Sequence, residues 1–258
     1  DIEQRVPAPV FDTQIAAAFL GYDDQIGYGA LVQAITGVAL AKTETRTDWS
    51  KRPLSAAQLE YAADDVRHLR PVYESLREQL MTRGRLAWVE AECAALDDPA
   101  LYRVDPADAW RRLRGGADLP PAGQQILRAL CTWREREAQA RDLPRGWVLR
   151  DEVLYELARR APDSTQALAG VPGLDERTGR RHANAILSAV AEGRAAAPEA
   201  IWARSAPLTP AQAALVKQLM GRVRELATQQ ALAPAVLATR RDIERLVRGA
   251  EASELWQG

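Results

Sequence analysis

The chain has 258 residues, 47% of them hydrophobic and 27% charged, with 34 basic and 35 acidic side chains and a formal net charge of −1. That length points to more than one domain, and the apolar content is enough for real cores. No apolar run reaches transmembrane length and no secretory leader opens the chain, so the composition fits a soluble, cytoplasmic protein without a membrane partner. The two cysteines, Cys93 and Cys131, lack metal-site spacing and read as small apolar packing residues. The isolated histidines, His68 and His182, read as solvated or structural.

The charge is unevenly spread. Residues 1–108 hold 11 basic and 18 acidic groups, whereas residues 109–193 hold 14 and 11. An acidic region is compatible with metal binding and a basic one with phosphate binding. Nearly all the basic groups are arginine, which suits bidentate phosphate contacts.

Along the chain, Asp12 precedes Thr13 and reads as a structural residue at a strand end. Ser55 can cap a helix, because its hydroxyl can accept an unpaired first-turn N–H. Beyond it Leu59, Ala62, Ala63, Val66, Leu69, Tyr73, Leu76 and Leu80 recur at helical spacing, predicting one amphipathic stripe. Pro71 should kink that helix or split it. Tyr61 and Asp65 stand four residues apart and share a helix face. Alone, such a pair reads first as an ordinary surface pair, and Asp64 beside it as a solvated charge.

The surroundings change that reading. "KTETRTDWSKRPLSAAQLEYAADDV", residues 42–66, carries Lys42, Arg46, Asp48, Trp49, Arg52, Pro53, Leu54, Gln58, Tyr61, Ala62, Ala63 and Asp65 in the register of the ribonuclease D family. "FDTQIAAAFLG" and "GALVQAITGVAL" upstream also resemble it. The resemblance implies a 3′–5′ exonuclease with four acidic residues and a tyrosine around two divalent metals, Mg²⁺ being the expected ion. It makes Asp65 a metal ligand and Tyr61 the residue that orients the attacking water. The family's first two acidic motifs are not among these residues. The opening "DIEQRVPAPVFDTQ" has no initiator methionine, so the sequence reads as an N-terminally truncated fragment, inactive alone.

The Asp- and Pro-rich stretch 96–108 reads as a linker after a nuclease region over 1–95. Four helical patterns follow. The first puts Ile126, Leu127, Leu130 and Trp133 on one face, which makes Trp133 a core residue. The next two carry Asp151 and Ser164 as candidate caps, and the fourth should end at Gly193. Leu130, Trp133, Arg134, Ala138, Asp142, Leu143, Pro144, Val148, Asp151, Leu154, Leu157, Ala158 and Pro162 resemble an HRDC domain, placed over 109–193. Within it "GVPGLDERTGRR" can present backbone N–H groups to a phosphate at a helix start, or can be a plain turn with solvated arginines. Arg134, Arg141, Arg177, Arg180 and Arg181 are the candidate RNA contacts. Residues 194–206 read as a second linker, and 207–258 as a second, shorter HRDC-like unit.

The fold implied is mainly α: the latter part of a ribonuclease H-like α/β domain followed by two all-α modules. Two such modules and no helicase motor motif favour an exoribonuclease acting on RNA such as tRNA precursors. The alternative is a non-catalytic RNA-binding or scaffold protein on the same fold.

Overall fold

Asp12 starts the first helix, α1 (Thr13–Ala18), by accepting the backbone N–H groups of Gln14 and Ile15 at 2.7 and 3.1 Å. It is therefore a helix cap rather than the end of a strand, its short carboxylate satisfying first-turn donors. The computed structural model describes residues 6–41, 44–45, 47–202 and 206–250. Lys42 and Arg46, two positions of the family register, lie outside them. The described residues contain no β-strand, and none of their helices is long and apolar enough to cross a membrane.

After α2 (Tyr28–Thr36), Ser55 opens α3 (Ala56–Arg67) with a reciprocal box. The Ser55 hydroxyl accepts the Gln58 N–H at 3.1 Å, and the Gln58 side-chain oxygen accepts the Ser55 N–H at 3.0 Å. One residue, His68, separates α3 from α4 (Leu69–Thr82). Pro71 falls in the first turn of α4, where its missing N–H costs no helical bond. Then comes α5 (Leu86–Ala94).

The single stripe expected from Leu59 to Leu80 does not form. Val72, Leu76 and Leu80 of α4 are fully buried, whereas Leu59 and Val66 of α3 are 56% and 69% exposed. The break at His68 ends the helical register, so the buried face of α4 does not continue onto α3. Val72, Leu76 and Leu80 pack with Leu31, Val32 and Val89.

Residues 100–207 form a second compact unit. A 3₁₀ segment, Pro106–Arg112, packs on α6 (Pro121–Ala140). There follow α7 (Arg145–Val148), α8 (Asp151–Arg160), α9 (Thr165–Ala169) and α10 (Glu176–Ala195). Ile126, Leu127 and Leu130 are buried, and Trp133 packs half-buried against the same core. Ser164 caps α9 by accepting the Ala167 N–H. Asp151 is the first residue of α8 and not its cap, because its carboxylate turns to Arg134. Gly193 does not end α10. It lies against α6, where a Cβ would come within 2.4 Å of the Ile126 Cα, so its role is close helix approach.

The stretch read as a second linker is tied down over its described part. The backbone N–H groups of Ile201 and Trp202 donate to the Gln124 side-chain oxygen at 2.8 and 3.0 Å. The Gln125 amide donates to the Glu199 carbonyl at 2.7 Å, and Trp202 meets Trp110 edge-on at 4.9 Å.

Finally come α11 (Pro210–Gln230), α12 (Pro234–Leu237) and α13 (Arg240–Val247). The sequence suggests that these helices stand as a module of their own. In the structure residues 208–250 group with the described residues of the stretch 6–99 in one compact unit. The Ala233 N–H donates to the Ala18 carbonyl at 2.8 Å. The Arg85 guanidinium donates to the carbonyls of Phe19 and Ala231 at 2.8 and 3.0 Å, and also to that of Gln230. Leu232 joins the same core as α4.

Candidate active site on the third helix

Tyr61 and Asp65 lie one turn apart on α3, so their side chains share a face. Tyr61 is half-buried and Asp65 exposed. The Trp49 ring lies 5.8 Å from the Tyr61 ring, centroid to centroid, tilted by 50°. The segment carrying Trp49 is itself held to α3. The buried Gln58 amide donates to the Thr47 hydroxyl at 3.2 Å and to the Asp48 carbonyl at 3.4 Å. Hydrogen bonds from the Ser50 hydroxyl and N–H hold the Asp48 carboxyl below its ordinary pKa.

Three carboxylates lie along this stretch of α3, and one arginine separates them. Arg67 meets Glu60 at 2.9 Å and Asp64 at 2.6 Å. Asp64 is thus an ion-paired, half-buried group and not the solvated charge the sequence suggests; its partner sits three residues on, within reach on the same helix. Asp65 is exposed and makes no ion pair among the described residues.

A second tyrosine supports this turn. The Tyr28 hydroxyl donates to the Asp64 backbone carbonyl at 3.2 Å, across 36 residues of sequence. A continuing helix would direct the His68 N–H to that carbonyl; here it bonds Val66. Burial, then the Asp65 and Asp64 charges, raise the Tyr28 pKa, so its hydroxyl remains a donor.

A metal is not held by these residues alone. Among the described residues no group of three or more His, Cys, Asp or Glu is placed to hold one. Asp65 fits as one hard oxygen ligand in a larger set.

The arginines named as RNA contacts separate into distinct classes. Arg134 is 3% exposed and donates to the Leu149 carbonyl at 2.8 Å and to Asp151 at 2.6 Å. Its guanidinium is spent inside the fold, so it is withdrawn from the RNA-binding set. Arg141 faces Glu137 at 3.4 Å and Arg180 is paired with Glu176. Arg177 and Arg181 are exposed, with no ion pair among the described residues. His182 is buried edge-on to Trp133 at 5.5 Å, and burial lowers its pKa. The start of α10 is already occupied: Asp175 accepts the Thr178 N–H at 2.9 Å, and Glu176 follows it. A phosphate there would meet like charge, which favours the plain-turn reading of "GVPG".

Sequence reasoning missed Tyr28 and Arg67. Arg67 was signalled by its spacing from Asp64. Tyr28 had no local signal, since its partner is a backbone carbonyl brought close only by folding.

A family model described as 3′–5′ exonuclease matches residues 4–81, and one described as HRDC domain matches residues 123–190. A protein named ribonuclease D from Granulibacter bethesdensis is 42% identical, covering 95% of this chain and 63% of its own length. Ribonuclease D from Acidiphilium cryptum is 44% identical, covering 93% and 62%. The crystal structure of Escherichia coli RNase D, described as an exoribonuclease involved in structured RNA processing, superposes with a TM-score of 0.78 at 31% identity, covering all of this chain and 68% of that one. The chain thus spans 62–63% of the length of these two curated relatives.

Proposed function

The chain belongs to the ribonuclease D family, and on that premise we propose that the protein is a 3′–5′ exoribonuclease whose active site includes Asp65 and Tyr61. The observation that carries this reading is the division of charge on α3. Arg67 engages Glu60 and Asp64, leaving the Asp65 carboxylate open at the position the family uses for a metal ligand. Tyr61 lies one turn away, bounded by the Trp49 ring, and its hydroxyl would hydrogen-bond a water beside that ligand. Tyr28 steadies the turn between them and the helix break.

The metal is a divalent cation, taken here to be Mg²⁺, which prefers hard oxygen ligands and keeps several waters. When bound, it would supply an activated water and charge stabilisation at phosphorus. Asp65 contributes one ligand, and among the described residues no group of three or more His, Cys, Asp or Glu is placed to complete the set. In this reading residues 1–95 are the latter part of a ribonuclease H-like domain. The HRDC module over 109–193 and the HRDC-like unit over 207–258 contact RNA or assemble the protein, with Arg141, Arg177, Arg180 and Arg181 as the remaining candidate contacts. The substrates are RNA 3′ ends, those of tRNA precursors among them, and the site of action is the cytoplasm.

The test uses the product of the complete gene with Mg²⁺. A 5′-labelled single-stranded RNA should shorten stepwise, while the same RNA closed into a circle survives. A circle cut as fast as the linear strand refutes 3′-end action. Binding of the linear RNA without any shortening favours a non-catalytic RNA-binding protein.

A further inference from the structure

We propose that Trp147 is a stacking platform for an unpaired base of single-stranded RNA, with the Arg145 and Arg150 guanidinium groups flanking it to meet the adjoining phosphates. This rests on the RNA-directed reading above and adds to it a site outside the nuclease region.

Trp147 is 77% exposed, the highest value among the exposed large apolar side chains of the described residues. In the same unit Trp110, Trp133 and Trp202 pack against the core. The exposure is built into the backbone. Trp147 sits on α7, whose next residues, Val148 and Leu149, are 2% and 5% exposed. The Trp147 N–H donates to the Pro144 carbonyl at 2.8 Å, and the Leu149 N–H to the Arg145 carbonyl at 3.1 Å. Val148 and Leu149 are anchored in the core, and they fix the backbone that presents the indole. Beside it a Cβ on Gly146 would meet nothing within 4 Å, so the approach is open.

Charge selects the ligand. Residues 141–150, "RDLPRGWVLR", hold three arginines and one aspartate. Arg145 has no ion pair among the described residues, and Arg150 donates to the Gly173 carbonyl at 3.3 Å. The nearby Asp151 carboxylate is held by Arg134. An exposed indole with arginines two residues before it and three residues after it suits a polyanion with exposed π-faces, which single-stranded RNA is and duplex RNA is not. An apolar protein surface would gain nothing from the guanidinium groups.

The 258-residue chain, with EDTA present, is titrated with a labelled oligoadenylate and with a duplex RNA of equal length at several salt concentrations. Trp147→Ala should weaken oligoadenylate binding by roughly 5- to 150-fold, and Trp147→Phe should keep most of it. Stacking releases no counterions, so the line of log affinity against log salt should drop without changing slope. Arg145→Ala should instead make the slope shallower by about 0.7. Duplex binding should be indifferent to Trp147. Oligoadenylate binding unchanged in Trp147→Ala overturns the proposal while leaving the RNA-directed reading intact. An equal loss on the duplex overturns it too. No binding by the unaltered chain at low salt overturns both.

Discussion

The Tyr28 hydroxyl offers the sharpest test of how the fold positions the candidate site. It donates at 3.2 Å to the Asp64 carbonyl, which the helix break denies its usual partner. Tyr28→Phe removes one oxygen and leaves the ring, which packs against the first core. A hydrogen bond of this kind contributes about 0.5–1.5 kcal/mol net. The loss should appear first as a stability decrease of that size in denaturant melts. It should appear also at Asp65, one residue along the loosened turn. A ligand that must be repositioned on binding weakens metal affinity by the same free energy, roughly 2- to 10-fold. The assay is trimming of a 5′-labelled RNA by the complete gene product across a Mg²⁺ titration. The half-saturating Mg²⁺ concentration should rise by that factor, with the rate at saturating metal nearly unchanged. An unaltered Mg²⁺ requirement alongside the expected stability loss would refute the positioning role and leave Tyr28 a purely structural residue.

Other outcomes follow from the same geometry. Tyr61→Phe should lower the single-turnover rate by about 10²–10⁴-fold with the Mg²⁺ requirement intact if the phenol positions water and not metal, as proposed; an unchanged rate would reduce the hydroxyl to packing. Gly193→Ala should destabilise the protein by about 1–3 kcal/mol in urea melts, because its Cβ would press on the Ile126 backbone at 2.4 Å and force α10 from α6. Burial holds the His182 imidazole below its ordinary pKa, with Glu137 opposing that shift and Arg181 and Arg141 adding to it. The unfolded chain protonates near pH ~6.5, so the stability from neutral His182 is whole above that pH and is lost as pH falls through the lower folded value. Melting temperatures taken from about pH 7.5 down to about pH 5 should therefore fall more steeply in the unaltered protein than in His182→Phe.

Local chemistry was legible in the sequence wherever the cause lay within a few residues. Ser55 and Ser164 cap as read, the helix breaks just before Pro71, and Trp133 joins the core along the stripe that placed it there. Errors arose where a distant partner decided the outcome. Arg134 carries the charge of a phosphate contact, yet folding brings Asp151 and the Leu149 carbonyl to it from 17 and 15 residues away. Asp151, a good cap by residue type, is drawn off by the same pair. Gly193 marks a helix end in sequence, but here it permits a close helix crossing. The stripe from Leu59 to Leu80 ignored the loss of register at His68, so Leu59 and Val66 of α3 stay in solvent. At the candidate site, Tyr61 and Asp65 are singled out by spacing and resemblance and Arg67 is signalled by its spacing from Asp64, whereas Tyr28 and the Gln58 tie show only in three dimensions.

The most direct test of the central claim compares Asp65→Ala with the unaltered protein in single-turnover trimming of a 5′-labelled single-stranded RNA at saturating Mg²⁺, both made from the complete gene. Asp65 is exposed and bears no ion pair among the described residues, so the substitution should leave the circular dichroism spectrum and melting temperature in place. The prediction is a folded protein that no longer trims RNA. A folded Asp65→Ala protein that trims at the unaltered rate would contradict the assignment of this carboxylate to the active site.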